Sequence, residues 1–129
     1  MDDYLALKPE RLVLVEADPR LTAALKTRVA EMPQVEVIEQ TVSGQQGRRH
    51  FRRYNQSDVS SLHAPGPALL AIFPGLRLMQ EIEVDAVTPA ALLEPMQLNQ
   101  HHNNRLVIDL PGEELAVLKA LEEAGHPHL

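Results

Sequence analysis

Two acidic residues stand at the ends of strand-like apolar runs. Glu16 follows Arg11 to Val15 (RLVLV) in the stretch Val15-Glu16-Ala17-Asp18-Pro19, and Asp109 closes the run Arg105 to Leu110 (RLVIDL). In α/β folds, ligands gather at the carboxyl ends of the parallel strands. A carboxylate there offers two oxygens spaced to accept from both hydroxyls of a ribose. From this feature alone Glu16 reads more readily as a solvated acid beside a helix N-terminus, which favours negative charge. Asp109 shares its rim if the strands run parallel, and serves as well as a cap for the following helix.

Two further clusters have bland readings that outweigh their chemical ones. Arg48-Arg49-His50-Phe51-Arg52-Arg53-Tyr54 interleaves bases with aromatics, as single-stranded nucleic acid binders do. It also fits an edge strand kept soluble by charge. His101-His102 and His126-Pro127-His128 lack the spacing of a helical or Cys/His metal site, so no metal is expected.

The elements that position these residues follow from periodicity and punctuation. RLVLV is an apolar, β-branched run of the kind buried on both faces of a sheet. Asp18-Pro19 supplies a helix cap followed by proline at the first helical position. Leu21, Leu25, Val29 and Met32 then recur at helical spacing, predicting a helix over 19–32. Val35 to Val42 (VEVIEQTV) predicts a second strand, 48–54 a hairpin partner, and 69–73 a short helix inside a Pro/Gly-rich loop. Arg77 to Val87 alternates as an exposed strand does, Thr88-Pro89 caps a short helix, 105–110 predicts a third buried strand, and 112–124 a last helix ended by Gly125 and Pro127. Strand–helix–strand, an antiparallel excursion, then strand–helix describes an α/β fold with a mostly parallel sheet.

Composition bounds the function. The 129 residues suit a single domain. There is no cysteine, which removes disulfides and thiolate chemistry together. A net charge of −6 argues against a general nucleic-acid binder. No apolar run reaches the roughly 18 residues of a membrane helix. The opening acids Asp2 and Asp3 are unlike a secretory signal, so the expectation is cytoplasmic, with no membrane partner.

The order of segments carries a resemblance. Val13 to Pro19 (VLVEADP), Val35 to Ser43 (VEVIEQTVS), Ser60-Ser61-Leu62, Val84 to Leu93 (VDAVTPAALL) and Ile108 to Leu118 (IDLPGEELAVL) occur in the order of FkbM-type S-adenosylmethionine-dependent methyltransferases. Over Arg11 to about Ala124 the chain resembles that family. The resemblance implies a Rossmann-like class I methyltransferase fold with helices on both faces of the sheet. It implies O-methyl transfer to a small-molecule or sugar acceptor. Glu16 matches the acid that holds the adenosine ribose, Gln40 and Thr41 the strand end beside the adenine, and Asp109 the acid bordering the reaction, which orients or deprotonates the acceptor.

Departures accompany it. The family carries a strand and glycine-rich loop ahead of the ribose acid; here fifteen residues precede Glu16 and the first glycine is Gly44. Pro111 stands where the family has glutamate. The expectation is therefore an incomplete methyltransferase-like domain, inactive as this isolated chain and prone to pair with a second copy; the alternative is a non-catalytic interaction module on the same fold.

Overall fold

A computed structural model describes residues 1–98 and 103–125. The chain is a small α/β fold whose Cα packing divides it into two units, Met1–Thr41 and Val42–Leu129.

In the first unit a short helix α1 (Asp2–Leu5) leads to β1 (Leu12–Glu16), α2 (Pro19–Arg28) and β2 (Val35–Glu39). β1 and β2 pair in parallel, from Leu12 beside Val35 to Glu16 beside Glu39. The cap before α2 forms as its sequence predicts: Asp18 Oδ1 accepts from the Arg20 amide at 2.9 Å and Pro19 opens the helix. α2 ends at Arg28, earlier than the apolar spacing indicates. Val29 is buried and still donates its amide to the Leu25 carbonyl, and one further turn runs to Met32.

The second strand also stops early. The Gln40 amide makes the last rung of the parallel pair, to the Glu16 carbonyl at 3.0 Å, and the strand ends there. Thr41–Val42 form a separate strand β3 in another sheet. The continuous alternation over 35–42 thus conceals a change of partner.

That second sheet contains β4 (Gly47–Tyr54) and β5 (Leu78–Val87), in the order β3-β5-β4. β4 and β5 are antiparallel, from Gly47 beside Ala86 to Tyr54 beside Leu78. The expectation of a mostly parallel sheet is therefore corrected: the parallel pair is the smaller sheet, and the larger one is built on an antiparallel pair. Between β4 and β5 lie a 3-10 turn at Ser57–Val59 and the helix α3 (Pro67–Ile72). After β5 come α4 (Pro89–Leu93), whose cap Thr88 accepts from the Ala91 amide, and α5 (Glu114–Glu123).

The expected strand over 105–110 is a second correction. The segment is extended but pairs with no strand among the described residues, and Leu106 and Val107 are exposed. Its other apolar residues, Ile108 and Leu110, pack against the core of this unit, formed by Val42, Val117 and Leu121 with Leu92 and Leu93. A short apolar run satisfies periodicity whether it is paired on both edges or packed along one side.

Candidate functional site

The predicted residues fall in different surroundings. Glu16 ends β1, half-buried, at the carboxyl end of the parallel pair. Its Oε1 accepts the Asp18 amide at 2.8 Å, and its carbonyl receives the Thr22 hydroxyl at 3.4 Å. Glu16 is thus held against the start of α2 by the turn that caps that helix. Gln40 sits one residue past β2, with its side-chain amide 3.4 Å from the Thr41 carbonyl. Thr41 is buried in β3. Glu39, the register partner of Glu16, adds a second acid to this strand end, one that sequence reading passed over. Asp109 lies exposed in the extended segment ahead of α5, so its expected setting at the end of a buried parallel strand is not the one it has.

The second unit contains a denser polar cluster, centred on Glu113 immediately before α5. Glu113 Oε2 accepts the Ser43 hydroxyl at 2.8 Å and the Gly44 amide at 3.1 Å. Glu113 Oε1 faces His63 Nε2 at 2.7 Å. Ser43 Oγ in turn accepts the Gln45 amide at 3.3 Å. The Ser61 hydroxyl donates to the Pro111 carbonyl while accepting the His63 amide at 3.0 Å. Two loops separated widely in sequence, 43–45 and 61–63, are thus tied to one carboxylate and to the turn before it.

Two glycines permit these approaches. A Cβ on Gly44 would lie 2.7 Å from the Ala116 Cβ, so only glycine lets this turn rest on α5. Gly112 has φ +89, in the left-handed region, and a Cβ there would lie 2.9 Å from His63 Cδ2. The His63 ring therefore occupies the place of a missing side chain.

Burial acts to raise the pKa of Glu113, whose side chain is 12% exposed, but the donors Ser43, Gly44 and His63 outweigh it and hold the carboxyl below its ordinary value. It is the anion of a small, well-furnished cradle. None of Ser43, His63 or Glu113 was singled out by residue type, although Ser43, Ser61 and Glu113 all fall inside the segments that carry the family resemblance, and His63 directly follows one of them.

The basic run of β4 is engaged across the sheet. Arg48 pairs with Glu83 and, at 3.7 Å, with Asp85; His50 lies 3.3 Å and Arg52 2.9 Å from Glu81. Alternation puts Arg48, His50 and Arg52 on one face of β4, opposite the acids of β5, while Phe51 is buried on the other. Among the described residues no group of three or more His, Asp or Glu is arranged to hold a metal. The pairs His101-His102 and His126/His128 lie outside the described residues. No helix among the described residues is long and apolar enough to cross a membrane.

No family model, curated protein or solved structure matches this chain.

Proposed function

We propose that the chain is an FkbM-like methyltransferase-type domain of Rossmann-like descent, with Glu16 as the acid that receives the ribose of S-adenosylmethionine and Gln40 and Thr41 on the adenine side. The observation that supports this reading best is the convergence of the motif segments. The turn after Val42, the Ser60-Ser61-Leu62 segment and the Pro111-Gly112-Glu113 turn are joined through Ser43, Ser61, His63 and Glu113, over separations of up to 70 positions. Val42, Leu92, Leu93 and Ile108 from the same segments share one apolar cluster. The β1–α2–β2 unit, parallel and ended by an acid, supports the cofactor half of the reading.

The fit to the cofactor is partial. Glu16 Oε1 is already engaged by the Asp18 amide, while the half-buried carboxylate stays at the strand end where a diol can reach it. Residues 1–15 contain no glycine, so no backbone there can approach the sulfonium and its amino-acid tail without a side chain intervening. Such a loop supplies several backbone hydrogen bonds, each worth about 0.5–1.5 kcal/mol net. Calorimetric titration with S-adenosylmethionine and its demethylated product tests the reading. The isolated chain binds weakly or not at all, and micromolar affinity overturns the partial fit. A fusion that places a glycine-rich strand and loop ahead of Met1 binds, and Glu16→Ala weakens it. If that fusion binds equally well with alanine at 16, Glu16 holds no ribose.

A further inference from the structure

We propose that His63 is a general base whose Nδ1 takes a proton from a hydroxyl ligand, water or an alcohol, with Glu113 as the positioning residue behind it. The proposal goes beyond the cofactor reading: all its residues lie in the second unit, and it requires no bound nucleotide.

An ionised carboxylate can only accept, and Glu113 Oε1 is 2.7 Å from His63 Nε2, so that nitrogen carries the hydrogen. In a neutral imidazole the other nitrogen then holds a lone pair. Nδ1 has no hydrogen-bond partner among the described residues, and the His63 side chain is 53% exposed. The fixed tautomer thus leaves its basic nitrogen unbonded on a half-exposed ring.

The ring is also held in place from other directions. Its backbone amide is bound by Ser61, whose hydroxyl is anchored on the Pro111 carbonyl. Its Cδ2 rests over Gly112, where any side chain would displace it. Glu113 cannot turn away, because its second oxygen is clasped by Ser43 and Gly44. A surface ion pair formed by chance does not carry a second set of donors behind the acid and a glycine beneath the base. A carboxylate so placed orients the imidazole and stabilises the imidazolium formed when the proton arrives.

An activated ester serves as the probe because its hydrolysis needs nothing but water. The water proton passes to Nδ1 and the water oxygen bonds to the acyl carbon. The aryl oxide leaves with the C–O electron pair, and the imidazolium returns its proton to solvent. The full chain is assayed with p-nitrophenyl acetate, and the ring nitrogens are read by 15N NMR. His63 shows the Nε2–H tautomer. His63→Gln loses about tenfold of the rate, short of the roughly 10²–10⁴ that a positioned base gives its own substrate, whereas His50→Gln keeps it. Glu113→Gln, checked for a native circular dichroism spectrum, lowers the rate and shifts the ring away from the Nε2–H tautomer, which loss of a merely structural contact would leave intact. An Nδ1–H tautomer in the wild-type chain, or a wild-type rate in His63→Gln, overturns the assignment. A wild-type rate and tautomer in Glu113→Gln removes Glu113 from its positioning role.

Discussion

Replacing Glu113 by glutamine should destabilise the chain in a pH-dependent way, and the size follows from its donors. The carboxylate receives hydrogen bonds from Ser43, Gly44 and His63. Bonds to a charged group contribute about 1.5–3 kcal/mol each, and neutral ones about half of that. Glutamine keeps an oxygen for Ser43 and Gly44, while its amide can meet His63 once that ring changes tautomer. The loss is therefore the charge assistance, less the desolvation that the anion no longer suffers, which comes to about 1–3 kcal/mol near neutrality. Alanine leaves the Ser43 hydroxyl and the Gly44 amide without a partner, each costing about 1–3 kcal/mol more.

The pH dependence has a definite sign. The folded pKa of Glu113 lies below its ordinary value of 4.5. The unfolded chain therefore binds this proton first as pH falls, and the stabilisation is present above the unfolded value. It is lost as pH drops from about 4.5 through the folded value. Urea unfolding followed by circular dichroism, for wild type and Glu113→Gln, tests this between about pH 7 and pH 3. The gap between the two curves narrows on the acid side. A gap that stays constant over that range, or is absent at neutrality, would show that the carboxylate draws no net stability from its cradle.

Other outcomes follow from single positions. Gly112→Ala combines a left-handed φ with a clash on His63 and should cost about 1–3 kcal/mol in urea unfolding; a neutral effect would mean that the ring moves aside freely. Asp18→Ala removes the cap of α2 and should cost about 1 kcal/mol, with Asp18→Asn recovering most of it. Charge changes in the exposed Arg48 pairs should shift stability by less than about 1 kcal/mol, and less still in high salt. Among the described residues β1 is hydrogen-bonded on one edge only, and it is rich in Leu and Val, so sedimentation at low micromolar concentration should show self-association; a stable monomer would mean that this edge is protected.

Much of the local structure was legible because its causes are local. Asp18-Pro19 announces α2 through the chemistry of an orphaned helix amide, and the structure contains that bond. The alternation of β5 shows because its charged face meets the bases of β4 while Ile82, Val84 and Ala86 take the other side. Where a partner decides, the sequence was mute. The residues of 35–42 alternate smoothly, yet Gln40 closes one sheet and Thr41 begins another. The run 105–110 is as apolar as β1, but β1 has β2 beside it and 105–110 has no strand neighbour among the described residues.

The Glu113 cluster was hidden for a related reason. A serine after a strand, an exposed histidine in a loop and a glutamate opening a helix are each ordinary, and their combined chemistry exists only once three distant loops meet. The trace that meeting leaves in the sequence lies in its glycines. Gly47, Gly66 and Gly75 have nothing within 4 Å of an added Cβ, so a side chain there would meet open space. Gly44 and Gly112 instead stand where a Cβ would strike α5 or the His63 ring, and they flank the carboxylate from opposite ends of the second unit's sequence. Glycine at a turn is usually explained by backbone conformation alone. At Gly44, where φ is not positive, that explanation fails and only close approach remains. Gly44 is thus glycine because α5 lies against it, and Gly112 because its backbone is left-handed and the His63 ring lies over it.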